Sequence, residues 1–338
     1  MKNDLSKISM IFWILLGSHM SLFGQNNALP NIIIIQFDDL AYGDLGYLGS
    51  TDVSTPYIDQ IASQSLIYEN AYSTSPVCSP SRASLMTGLL PNDIRILGVL
   101  RSHYNSLEII HKTKNIAQFL KELNYRTAHV EKWYLGIPKN CRPEALGFDY
   151  SFGILCGMAD YYSHLGKGGM DRQHCLYENG VEVYKDGYLT ELLPASAHQF
   201  IQGITSQPLL LIVNYTATHR PLQPNPSYNS NQSGTDRSIY LSMVQTVDTG
   251  VGKLQYQLKR LGLRGNSIVI ITNDHGCPVR SSQDRNVAKN IDLTSGKYFL
   301  RDDGTRIPLV VKIPGFQHRV ISHNVTNADI FPSILSLL

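Results

Sequence analysis

The 338-residue sequence has no block of like charges, no internal repeat and no low-complexity run. That removes the usual signs of a charged interaction tail or a repeat array. Its formal net charge is only +2, too weak a positive field to argue for nucleic acid or a membrane surface as a partner. No cysteines stand at Cys-x-x-Cys spacing, so the tetrahedral zinc pattern is missing. Long apolar stretches are missing too. The run from Ile8 to Leu16 is far short of the ~20 residues that a membrane-spanning helix needs, and no stable membrane insertion is expected. What remains, 43% hydrophobic and 17% charged, is ordinary globular composition, and the length suits one large α/β domain or two smaller ones.

The first residues stand apart. Lys2 and Lys7 flank the start of that apolar run, and small residues follow from Ser21 to Ala28. A basic start, a short apolar stretch and a small-residue boundary make a secretory leader. Residues 1–24 are therefore read as a signal peptide whose boundary falls between Gly24 and Ala28, and the mature chain as exported, periplasmic or secreted. A membrane anchor or an unstructured tail is the alternative. The leader holds no cysteine for lipid attachment. Elsewhere there are five: Cys78, Cys141, Cys156, Cys175 and Cys277. With Cys78 set aside for chemistry, four are left, enough for two disulfides in an exported protein and equally compatible with four thiols.

Short, β-branched apolar runs recur along the chain: Asn31 to Phe37 (NIIIIQF), Tyr125 to Val130, Leu209 to Tyr215 (LLLIVNY), Ser267 to Thr272 (SIVIIT) and Leu309 to Lys312. Such runs suit strands buried on both faces. Helices are expected over Ile58 to Ser65, Asn115 to Leu123, Pro194 to Thr205, Tyr240 to Leu261 and Asp329 to Leu338. In the fourth, Leu241, Val244, Val247, Val251, Leu254 and Leu258 share one face. Leu66 to Ala71 reads as a short strand, and Ser163 to Lys185 and Asn225 to Asp236 as loops. The chain is thus read as α/β, with a mostly parallel central sheet sandwiched by helices.

Chemistry-bearing residues gather at the ends of these runs. Asp38 and Asp39 follow the first, Lys132 the second, His219 the third, and Asp274 with His275 the fourth. Ligands of open parallel sheets collect at the carboxyl ends of the strands, so these residues should converge on one rim. Two adjacent carboxylates after a buried strand are costly unless something positive lies between them; a divalent cation is the simplest answer, an exposed acidic turn the plainer one. Facing the rim should be a helix opening in Pro76 to Gly88, PVCSPSRASLMTG. Pro80 suits a first helical turn, Ser79 or Ser81 can cap it, and Arg82 adds a fixed cation. A helix start of this kind binds anions and lowers a thiol pKa. Read without that context, Cys78 is a small buried hydrophobe.

CSPSRASLMTG resembles the sulfatase signature, Cys-x-Pro-Ser-Arg with a Leu-(Leu/Met)-Thr-Gly tail, and further blocks resemble that family in order. DDLAYGDLG and TPYIDQIA are similar to its opening block, EKWYLG to Gly-Lys-Trp-His-Leu-Gly, GFDYSFG to Gly-Phe-Asp-x-Phe-x-Gly, and THRP to Ala-Pro-His-x-Pro. NDHG is similar to Asp-Asn-Gly or Asp-His-Gly, Gly296-Lys297 to Gly-Lys-Gly, and Arg306-Ile307-Pro308 to its Ile-Arg-Val-Pro element. The resemblance covers nearly all of the chain from Pro30. Two departures adjoin Lys132: Glu131 replaces a glycine, and Tyr134 a histidine that assists sulfate release in the family. The chain stops after an apolar segment where the family continues into an antiparallel subdomain, so residues 30–338 are read as the larger, catalytic domain, truncated at its C-terminus.

The resemblance implies a sulfuric ester hydrolase of the arylsulfatase type, acting on an aryl sulfate or a sulfated carbohydrate. It implies that a formylglycine-generating enzyme oxidises Cys78 to formylglycine, whose hydrate attacks sulfur through one hydroxyl and expels sulfate when the other loses its proton. Asp38, Asp39, residue 78, Asp274 and His275 are the implied metal ligands, and Cys78, Arg82, Lys132, His219 and Lys297 the implied catalytic set. Lys297 and His219 would bind sulfate or protonate the leaving oxygen. Oxygen-rich ligation favours calcium, with magnesium second. A phosphonate or phosphodiester hydrolase of the same superfamily, and a catalytically impaired relative that binds sulfated glycans, are the alternatives.

Overall fold

The NIIIIQF run forms strand β1 (Asn31–Phe37), buried along its whole length and paired in parallel on both sides. Its side chains alternate between two cores. Ile33, Ile35 and Phe37 belong to one apolar cluster, while Ile32 and Ile34 belong to another on the opposite face. That two-sided burial is why the strand is a continuous apolar run instead of an alternating one. The structure is a computed structural model and describes residues 28–100, 113–167, 173–203, 206–228, 235–278, 287–289 and 295–338. The leader expected at residues 1–24 lies outside the described residues.

After β1 come α1 (Pro56–Ala62), β2 (Leu66–Tyr68), β3 (Ala71–Tyr72), α2 (Cys78–Thr87), α3 (Ile116–Glu122), β4 (Arg126–Glu131) and β5 (Tyr150–Ile154). Then follow β6 (Leu176–Glu178), β7 (Val181–Glu182), α4 (Leu189–Gln202), β8 (Leu209–Asn214), α5 (Asp236–Arg260) and β9 (Ser267–Asn273). The chain closes with α6 (Asp302–Thr305), β10 (Leu309–Lys312), β11 (Arg319–Ile321), β12 (Val325–Thr326) and α7 (Ile330–Leu337). The large sheet has the order β11-β2-β10-β9-β1-β8-β4-β5-β6-β7. Its centre, β9-β1-β8-β4-β5, is parallel throughout. Helices α1, α4 and α5 pack on one face and α2, α3 and α7 on the other, giving the α/β sandwich expected from the strand runs.

Local chemistry accounts for where some helices start. Pro56 opens α1 at its first position, where a missing N–H costs nothing. Asn115 and Gln118 form a capping box at α3. Other boundaries differ from expectation. Helix α5 begins at Asp236, four residues before the expected start at Tyr240, because the Thr235 side chain accepts from the Ser238 N–H at 3.2 Å. Helix α4 begins at Leu189 and carries Pro194 inside it. The segment from Ser163 to Lys185, read as loop, contains the β6–β7 hairpin. The Leu66 to Ala71 strand is two short strands in separate sheets.

The cysteines follow neither expected scheme. Cys156 and Cys175 form one disulfide, and Cys141 and Cys277 are buried thiols. Among the described residues no helix is long and apolar enough to cross a membrane.

Candidate active site

The parallel strands β9, β1, β8 and β4 end on one rim, and each delivers part of the site. Asp38 and Asp39 follow β1, Lys132 follows β4, the Thr216–His219 turn follows β8, and Asp274 and His275 follow β9. Asp38, Lys132, Asp274 and His275 are fully buried, and Asp39, Cys78, Arg82 and Lys297 nearly so. Every expected site residue is within this one cluster, His219 at its rim with a side chain 13% exposed.

Arg82 organises the acids. Its Nη2 lies 3.1 Å from Asp38 Oδ2, its Nε donates to Asp274 Oδ2 at 3.1 Å, and its Nη1 donates to the Lys132 carbonyl at 3.1 Å. Lys132 Nζ donates to Asp38 Oδ2, and Lys297 Nζ to Asp39 Oδ1 at 2.8 Å. His219 Nε2 stands 3.5 Å from Asp39 Oδ2. Its Nδ1 lies 2.7 Å from the Arg220 carbonyl, which can only accept, so Nδ1 carries the hydrogen and Nε2 the lone pair. The Tyr161 hydroxyl donates to the His219 carbonyl at 2.8 Å and fixes that turn.

Helix α2 brings Cys78 to the acids at its first position, with Val77 as the cap residue. The two serines do not cap it. Ser81 Oγ donates to the Asp274 carbonyl and Ser79 Oγ accepts from the Leu100 N–H at 3.0 Å, so both hydroxyls are spent on distant segments. Asn327 completes this brace, donating to Ser81 O at 2.9 Å and Ser81 Oγ at 2.8 Å while its Oδ1 accepts from Thr74 N–H at 2.9 Å. Nothing in the local sequence around Asn327 marks it for this part.

The charges are unevenly held. Burial opposes ionisation of Asp38, but Lys132, His219, Lys297 and Arg82 outweigh it and keep this carboxyl well below the usual range. Asp39 is lowered in the same way, against burial and chiefly by Lys297. Asp274 is pushed up to about 7 by burial and by the charge of Asp38. Burial also resists a Cys78 thiolate, yet Lys297 and Lys132 bring the thiol below its ordinary value. Burial lowers His219 to about 4, so its imidazole is neutral at physiological pH.

Three buried atoms here have no hydrogen-bond partner: Asp38 Oδ1, Asp274 Oδ1 and His275 Nε2. His275 Nδ1 lies 2.9 Å from the Gly276 carbonyl, so the hydrogen sits on Nδ1 and the Nε2 lone pair faces Asp274 Oδ1 at 3.4 Å and Asp38 Oδ1 at 3.8 Å. Lone pairs converging in a buried space repel unless a cation lies among them. One ligand atom each from Asp38, Cys78, Asp274 and His275 falls within 4.8 Å of the others, as does a second group of Asp38, Asp39 and His219. The donor set fits a divalent cation.

The two departures around Lys132 both stand on left-handed backbone. Glu131 has φ of 79° and Tyr134 of 52°, backbone conformations that favour glycine and that bulky side chains rarely adopt. The Glu131 carboxylate is buried and accepts from both the N–H and the hydroxyl of Thr216; burial raises it to about 8. It thereby ties the end of β4 to the His219 turn, a link that sequence reasoning missed. The Tyr134 ring lies 5.0 Å from Lys132 Nζ, and burial raises its phenol above the ordinary range.

The sulfatase family model matches residues 30–338. The chain belongs to the sulfatase family. It is 32% identical over 325 residues to arylsulfatase J of Mus musculus, covering 91% of this chain and 52% of that protein. It is 29% identical over 385 residues to an N-acetylgalactosamine-6-O-sulfatase of Bacteroides thetaiotaomicron, covering 93% of this chain and 74% of that one. Among solved structures, Ps i-CgsB in complex with k-i-k-neocarrahexaose superposes with a TM-score of 0.84 at 31% identity, covering 91% of this chain and 72% of that one. The chain thus spans about half to three quarters of the length of these relatives.

Proposed function

We propose that this sulfatase hydrolyses sulfate esters of carbohydrates, with residue 78 as the nucleophile after oxidation of its thiol to formylglycine. The observation that carries the reading is the meeting of Cys78, three orphaned ligand atoms and three basic side chains in one buried cluster. Asp38, Asp39, Asp274, His275 and residue 78 would hold the cation, calcium before magnesium. When bound, the cation supplies positive charge against the charge that develops on sulfate oxygens.

The chain's own groups then divide the work. Lys132 and Lys297, bonded here to Asp38 and Asp39, would hold the anion beside residue 78. Arg82 has each of its nitrogens bonded to protein, so it acts as a positioning residue that keeps Asp38 and Asp274 in place. His219, neutral with its lone pair at Nε2, becomes a donor to the leaving oxygen once an incoming anion raises its affinity for a proton. The Bacteroides relative named for N-acetylgalactosamine 6-sulfate and the complex with a neocarrahexaose support a sulfated sugar as substrate. The Cys156–Cys175 disulfide supports an oxidising, exported location.

The test is mass spectrometry of the peptide bearing residue 78 after co-expression with a formylglycine-generating enzyme, alongside assays on sulfated galactosamine and on a phosphodiester. The aldehyde together with sulfate release supports the reading; faster phosphodiester turnover overturns it. The raised phenol of Tyr134, a poor base where the family has histidine, favours a second reading, a relative that only binds sulfated glycans. An unmodified thiol together with glycan binding would decide for it.

A further inference from the structure

We propose that Tyr134 and Tyr298 form an aromatic mouth above the two site lysines, and that this mouth takes the ring of a sulfated pyranose. The proposal rests on the sulfate-ester reading and adds how the sugar is held.

Each lysine carries its own tyrosine. The Tyr134 ring lies 5.0 Å from Lys132 Nζ, and the Tyr298 ring 5.8 Å from Lys297 Nζ. Both tyrosines adopt left-handed backbone conformations, with φ of 52° and 80°. Aromatic residues rarely accept such angles, and where they do the surrounding structure compels them, most often at functional sites. The strain is supported from outside. Tyr298 N–H donates to the Pro76 carbonyl at 3.0 Å, two residues before Cys78. Tyr134 packs on Gly157, where a Cβ would collide with the ring.

The pair reaches from the two lysines toward solvent. The two lysines meet at one carboxylate, Lys132 Nζ bonded to Asp38 Oδ2 and Lys297 Nζ 4.0 Å from Asp38 Oδ1, and this brings their two rings to one cluster. Tyr298 is 46% exposed, and its neighbour Phe299 is 50% exposed. A sugar whose sulfate sits between the lysines would then extend along these rings. A pyranose offers a C–H face to an aromatic ring and hydroxyls to a protonated phenol, a match for this mouth.

The test uses the calcium-loaded protein with Cys78 unmodified, so that ligand is bound and not hydrolysed. Calorimetry compares inorganic sulfate with N-acetylgalactosamine 6-sulfate. Tyr298→Gly suits the left-handed backbone and keeps the fold. It should weaken the sugar ester by roughly three- to tenfold, the scale of one aromatic contact, and leave inorganic sulfate unchanged. Tyr298→Phe should retain the sugar affinity. Unchanged sugar affinity in Tyr298→Gly overturns the proposal, as does an equal loss for both ligands. If the unsubstituted protein binds neither ligand, the sulfate-ester reading fails first and the mouth with it.

Discussion

Asp38 and Asp274 share a single guanidinium: Arg82 Nη2 lies 3.1 Å from Asp38 Oδ2 and 3.1 Å from Asp274 Oδ2. One acid follows β1, the other follows the adjacent strand β9, and Arg82 comes from the helix that opens at Cys78. This shared contact ties the nucleophile's helix to both acids, and it leaves Asp38 Oδ1 and Asp274 Oδ1 unbonded.

Replacing that cation exposes two buried carboxylates to each other. Arg82→Met should destabilise the protein by roughly 3–5 kcal/mol, the scale for breaking a buried ion pair. Urea unfolding measures it, and a loss below about 1 kcal/mol contradicts the bridging role.

Calcium should raise the unfolding temperature, and a chelator should reverse the rise. A ligand at a hundredfold excess over its dissociation constant contributes about 2.7 kcal/mol. Asp38→Ala should lose both this calcium response and sulfate-ester turnover. Turnover retained in Asp38→Ala rules out the ligand assignment.

Glu131 predicts an unusual pH dependence. Its carboxyl rises from an ordinary 4.5 to about 8 in the folded protein, so between these values the folded state binds the proton that the unfolded state has released. Stability from this group is therefore present below pH ~4.5 and lost as pH rises toward about 8, at no more than roughly 1.4 kcal/mol per pH unit. Glu131→Gln keeps the shape and removes the titration. Its unfolding free energy should lack that slope, and identical slopes in the two proteins sink the account.

His219 should stay neutral down to about pH 4 because burial disfavours its charged form. Inorganic sulfate, as a nearby anion, should raise that midpoint. Imidazole chemical shifts followed by NMR across pH, with and without sulfate, report both values. A midpoint near the ordinary 6.5 without ligand contradicts the buried setting.

Much of the frame was legible because its signals are local. An apolar run with both faces buried needs only its own residues to be recognised, and β1, β8 and β9 were found within a residue of their ends. Polar residues directly after such runs pointed to the rim where Asp38, Lys132 and Asp274 meet. Helix starts were read less well. Thr235 extended α5 through a side-chain cap, and the Ser79 and Ser81 hydroxyls bond to segments outside the helix. The single disulfide was also closed to sequence reasoning, since pairing depends on which loops approach.

By itself the sequence determined the strand runs, the order of the polar residues that follow them and the membership of the sulfatase family. All of these are written in contiguous residues. Only the tertiary structure decided that Arg82 serves two acids, that Asn327 braces the Cys78 helix, and that Glu131 and Thr216 join two strand ends. Those contacts connect residues far apart along the chain, and their strength comes from burial, which a linear pattern does not specify.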